Sequence, residues 1–242
     1  DGVPLYNHEQ IRLNETALVR QLLALLNLAV TDWERRDVLN LAQGGYIRWQ
    51  CRPPYGMETW VKKLGINGGR TTWREALQRE QKRLEWRERE TDQAVLEEEE
   101  RERQRARRER QKEMINRALA WFEEVEEVVR GLERASSWEG RIEQVERLGQ
   151  RLDIEGQIRR LWLSDLEQGE LQGYRRDLDA YRGFCDVLQE MKRLAAMMPR
   201  QTIRSWSAWL RELRHLLIQQ RVTVTRGEIG GVHLFEPSAI RG

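Results

Sequence analysis

RTTWREALQREQKRLEWRERETDQAVLEEEERERQRARRERQKEMINRALAWFEEVEEVVR, residues 70–130, contains neither glycine nor proline. Most of its residues are Glu, Arg, Gln, Lys, Leu or Ala, which lose least on entering a helix. Thr72 with Glu75 offers a capping box at the start, and Gly131 offers a stop. As one helix the stretch spans about 90 Å at ~1.5 Å rise per residue, far beyond an ordinary globular helix. It is therefore either a projecting arm or two helices folded back on each other.

The three thirds of this arm differ. The first sets Trp73, Leu77, Leu84, Val95 and Leu96 along a sparse seam. The middle, residues 97–113, has no apolar side chain except Ala106. Pairs such as Glu97–Arg101 and Glu99–Arg103 support a helix there by a few tenths of a kcal/mol each. The last third, residues 114–132, places Ile115, Leu119, Phe122, Val125, Val129 and Leu132 at steps of three or four, the signature of a buried face. Glu nearly balances Arg in the middle, so it reads as a solvated helix or link rather than a nucleic-acid surface. Its role is then reach, holding residues 84–96 where DNA or a partner subunit is met.

Composition narrows the classes. The chain has 242 residues, 34% charged and 39% hydrophobic, with a net charge of only +2. A balance so near neutral gives no general attraction to a polyanion, so nucleic-acid binding must be local. Cys51 and Cys185 form neither a disulfide framework nor a ligand cluster, which suits a reducing, cytoplasmic setting. His8, His215 and His233 are too scattered for a metal site. The longest apolar stretch, residues 22–30, is broken by Asn27 and too short to span a bilayer, so no membrane partner is expected. With no signal peptide, no initiator Met and abrupt ends, the chain reads as a piece of something larger.

Around the arm the text is mostly helical. Asn14 is placed to cap a helix with Ala17, Leu18, Leu22, Leu25 and Leu26 on one face. Thr31 with Glu34, and Ser136 with Glu139, read as further capping boxes. Between them, residues 46–69 change to aromatic and turn residues, a packed loop with one short helix near 57–64. Beyond the arm, helical periodicity continues to Pro199 and resumes at about Thr202, where Ser205-Trp206 echoes Ser137-Trp138. Strand-like text stands only at the ends: a short strand within residues 1–10, and Val222-Thr-Val-Thr225 with Val232-His-Leu-Phe235 as a hairpin. The fold class is thus mainly α, a helical insert plus a short C-terminal β-hairpin.

Signatures of catalysis are missing. Asn67-Gly-Gly-Arg-Thr-Thr72 lacks the spacing and the Lys of a phosphate loop and reads as the turn before the arm. There is no Gly-x-Ser-x-Gly, no paired His on a helix face and no Cys-x-x-Cys. The piece is therefore expected to hydrolyse no ATP and cut no DNA, and to bind no cofactor of its own. Most of the ten tryptophans read as packing at helix junctions. Trp49 and Trp60 stand near Arg48, Arg52, Lys62 and Lys63, a setting in which an exposed ring stacks on bases.

The two ends carry a family likeness. Gly2-Val-Pro-Leu5, then the Leu-rich run from Arg12 to Leu26 and the short acidic helix text from Thr31 to Leu39, resembles the start of the 2B region of UvrD-like superfamily 1 helicases. Val232-His-Leu-Phe-Glu-Pro-Ser-Ala-Ile-Arg-Gly242 is similar to motif V of that family, and most similar to the AddB-type subunit of ATP-dependent helicase–nucleases. The likeness covers about a fifth of the chain and implies a division into residues 1–45, a helical insert over 46–220, and 221–242 leading into motif V. It implies an accessory domain in DNA recombination or repair, with DNA and a partner helicase–nuclease subunit as its contacts. Ser238, Arg241 and Gly242 would then be the motif V positions touching DNA. Ser238 stands where many members have His and Glu236 where many have Thr, a departure that fits a subunit that scans DNA rather than drives along it. ATP and Mg are implied for the parent chain only. The alternative class is a helical protein–protein interaction module with no DNA role.

Overall fold

The breaker-free stretch folds back on itself as a helical hairpin. In the computed structural model, which describes residues 5–91, 98–167, 173–197, 205–226 and 232–234, the chain is mainly α. In order, its elements are β1 (Leu5–Arg12), α1 (Ala17–Leu28), α2 (Arg35–Gln43), α3 (Met57–Lys63), α4 (Arg70–Thr91), α5 (Glu98–Glu133) and α6 (Trp138–Arg151). There follow α7 (Ile154–Glu167), α8 (Gly173–Met197), α9 (Trp206–Gln219), β2 (Arg221–Arg226) and β3 (Val232–Leu234). The elements form two units. One comprises Asp1–Leu23, Gly44–Ile47 and Ala135–Gly242; the other comprises Ala24–Gln43 and Arg48–Arg134.

The second unit is built on α4 and α5, which run antiparallel. Near the start of α4, Arg70 and Arg74 pair with Glu126 near the end of α5. Further out, Gln81 Nε2 donates to Asn116 Oδ1 at 2.9 Å. As its periodicity predicts, α5 buries Ile115, Phe122, Val125, Val129 and Leu132, together with Ala118 and Trp121. Residues 102–113 are exposed or half-buried. The apolar face therefore stops where the sequence loses its hydrophobic side chains. Glu97, one partner of an expected ion pair, lies outside the described residues.

Both ends of this hairpin differ from the local reading. Thr72 does not cap α4, which already starts at Arg70. Gly69 precedes it with φ of +89°, a conformation open to glycine and strained for other residues. The cap comes from far away in sequence: the Asp32 carbonyl accepts the Gly69 N–H at 2.6 Å, and the Asp32 carboxylate accepts the Arg70 N–H at 3.2 Å. Nor does Gly131 end α5, because buried Leu132 extends the apolar face one step further. Packing outweighs the glycine's intrinsic preference to stop. The Thr31–Glu34 box is absent too: the Thr31 hydroxyl donates to the Asn27 carbonyl, closing α1 rather than opening α2.

In the first unit the strands correct the expected hairpin. The sheet order is β2-β1-β3: β1 pairs antiparallel with β2, from Asn7 opposite Arg226 to Arg12 opposite Arg221. On its other edge β1 runs parallel to β3, with Leu5 opposite Val232 and Asn7 opposite Leu234. A lone two-stranded hairpin is marginal in water, and insertion of the N-terminal strand makes it a three-stranded sheet. The two end strands lie side by side, with Leu5 and Leu234 in neighbouring strands.

Helices cover this sheet, with α8 packed against α6, α7, α9 and β2. Thr16, not Asn14, caps α1, its hydroxyl oxygen accepting the Val19 N–H at 3.4 Å. The Ser-Trp echo is structural, because Ser137 caps α6 and Ser205 caps α9, each accepting the N–H three residues on. Ser137 takes the place expected of Ser136. Replacing either serine with alanine is expected to cost about 0.5–2 kcal/mol, and the double variant about the sum. Urea unfolding checks this; an unmoved midpoint in Ser137→Ala would show that the cap is dispensable.

Candidate nucleic-acid interface

Sequence-predicted contacts fare unevenly. Ser238, Arg241 and Gly242 lie outside the described residues. Trp49 and Trp60 are described, and both are buried, at 6% and 9% exposure. This corrects their expected role, since a ring enclosed by protein presents no face to a base. The cause is a pair of main-chain bonds that no local pattern signals. The Glu124 carboxylate of α5 accepts the N–H groups of Gln50 and Cys51 at 2.9 and 3.1 Å. That draws the loop onto α5, where Trp49 meets Trp121 edge-on at 6.2 Å. Trp60 is buried with Met57 and Val61 on the inner side of α3.

Beside the same loop, α5 borders a groove of about 670 Å³ lined by Gln50, Cys51, Arg52, Lys112, Asn116 and Arg117, with Glu109 and Glu113. Arg117 pairs with Glu113, so the lining is of mixed sign. A groove so balanced has no strong preference for an anion.

The root of the hairpin is held differently from its outer half. There Glu126 is buried at 3% exposure and receives Arg70 Nε at 3.0 Å and an Arg74 amine. The hydrogen bond to Glu126, and then its charge, hold the Arg74 guanidinium above its ordinary range. Arg70 also lies over the Trp33 ring, 5.4 Å from its centre. The outer half does not alternate its charges evenly. Instead its charge is segregated in a way that averaging over residues 97–113 conceals. Residues 97–100 are four glutamates, whereas 101–112 hold six arginines and one lysine against two glutamates. A shorter window would have found this.

The buried polar groups of the first unit serve structure. Tyr46 donates its O–H to Asp177 Oδ2 at 2.7 Å, and Arg176 Nε donates to Asp177 Oδ1 at 2.9 Å. Burial first, and then the Asp177 charge, push the Tyr46 phenol above its ordinary range. Burial likewise raises Tyr181 and the Cys185 thiol. Held protonated in this way, the Tyr46 hydroxyl stays a donor to Asp177 in a fixed joint. Arg141, 3% exposed, has its guanidinium lowered by desolvation and donates to the Ala135 and Ser205 carbonyls.

Among the described residues no group of His, Cys, Asp and Glu is arranged to hold a metal ion, and no helix is long and apolar enough to cross a membrane. The turn at residues 67–72 does not fit a nucleotide phosphate, because the carboxylate of Asp32 already occupies the first N–H of α4. No model of a known protein family matches the chain, and no curated protein matches it.

Proposed function

We propose that the chain is an accessory, 2B-like insert domain of an ATP-dependent DNA helicase–nuclease subunit, engaging DNA or a partner subunit and catalysing nothing by itself. The observation that carries this reading is the seating of β1 between β2 and β3. A domain inserted into another is tolerated where its two ends lie close together, and Leu5 opposite Val232 brings the two end segments side by side. The residues resembling the helicase family stand on these same end segments. ATP and its Mg ion would belong to the parent motor.

The flanking coding sequence is the direct test. A phosphate loop upstream and a helicase motif VI downstream are expected. Flanks with neither would leave the helical protein–protein module as the better reading. The chain alone is expected to show no ATP turnover, and turnover that survives repurification would refute a purely accessory role.

A further inference from the structure

Resting on that reading, the charge of α5 assigns a contact. The segment 101–112 carries seven cations against two glutamates in a chain whose total is only +2. Arg103, Arg105, Arg107 and Arg110 are exposed within it. By the helical repeat, residues 103, 107 and 110 share one face, and 105, 108 and 112 share another. Cations on the same face follow one another at about 4.5–6 Å along the axis, from ~1.5 Å per residue.

Two features decide what would meet this surface. Six of the seven cations are arginine, whose planar fork matches phosphate oxygens, whereas lysine offers a single point charge. Further, the only apolar residue in the segment is Ala106. A protein partner needs an apolar centre to its interface, while nucleic-acid interfaces are polar and strongly positive. Trp86, 58% exposed on α4, is the nearest candidate for an apolar anchor. The step outward from Gln81 to Trp86 matches that from Asn116 to Gln111, so the ring stands level with the basic segment.

We propose that residues 101–112 of α5 bind the phosphate backbone of a nucleic-acid strand, without reading its sequence. Binding of the whole chain to labelled oligonucleotides, single-stranded and duplex, tests this by anisotropy over a salt series. The double variant Arg107→Glu/Arg110→Glu is expected to lose about tenfold or more in affinity near 0.1 M salt, and its salt slope to shrink by about 2. Arg107→Gln/Arg110→Gln should lose less in the same direction, and Trp86→Ala should bind as the parent chain does. All three positions are exposed, so the variants' thermal midpoints should stay unchanged. The site is overturned if the charge-reversed variant keeps both affinity and slope, if the parent chain binds no oligonucleotide, or if Trp86→Ala abolishes binding while the arginine variants do not. Helicase motifs in the flanking sequence with unaltered binding by the charge-reversed variant would sink this contact alone, leaving the accessory-domain reading intact.

Discussion

Phe122→Ala is expected to destabilise the second unit by about 3–5 kcal/mol, the cost of truncating a fully enclosed aromatic ring. Phe122 has no solvent exposure and sits between two indoles, 4.9 Å from the Trp33 ring and 6.3 Å from the nearly parallel Trp73 ring. Its loss strips contacts from two other elements at once, because Trp33 precedes α2 and Trp73 belongs to α4. Trp73 is itself anchored, its indole N–H donating to the Trp33 carbonyl at 2.9 Å. That bond keeps the two rings from closing over the gap, so little of the cavity should be recovered. Urea unfolding measures the loss, and hydrogen exchange locates it. Protection should fall at residues 115–129 and change little at 102–113, which are exposed already. A loss below about 1 kcal/mol would mean that the cluster collapses freely around the missing ring.

Glu126→Gln is the second large effect, expected at about 1.5–3 kcal/mol, the range for hydrogen bonds to a charged group. The substitution keeps the side chain's shape and removes the charge that Arg70 and Arg74 share. Complete loss of a buried ion pair would cost more, but both arginines here are partly exposed and regain some solvation. Arg70 also keeps Glu133 and the face of Trp33. A double-mutant cycle with Arg74→Gln isolates the pair. Coupling near zero would show that the carboxylate is held by packing alone.

Helices were legible where an apolar period supported them. Of the face read for α5, Ile115, Phe122, Val125, Val129 and Leu132 are buried, because burial there repeats with the helix itself, while Leu119 is only half-buried. Helix ends were read less well, since their partners are remote. Nothing near Arg70 announces that Asp32 will cap α4. Trp49 shows the same limit: basic neighbours suggested exposure, but a carboxylate more than seventy positions away pulls its loop inward. The strands were found and their partnership misassigned, because a glycine-bearing loop favours a hairpin locally and only the whole sheet shows β1 between β2 and β3. The charge of residues 101–112 is visible in the sequence once the glutamates at 97–100 and 113 are set apart from it.

The position of β1 also sets a timetable for assembly on the ribosome. Both strand partners of β1 among the described residues come late in the chain, with Arg12 waiting for Arg221. The unit holding α4 and α5 is complete once Arg134 has emerged. It can therefore consolidate while α6 to α9 and both partner strands are still unmade, in keeping with the tendency of domains to fold as units during synthesis. Until then the nascent N-terminal strand has two unsatisfied edges, an open invitation to mispairing with other chains. A ribosome stalled before β2 should thus carry a protease-resistant helical hairpin while β1 stays open to cleavage.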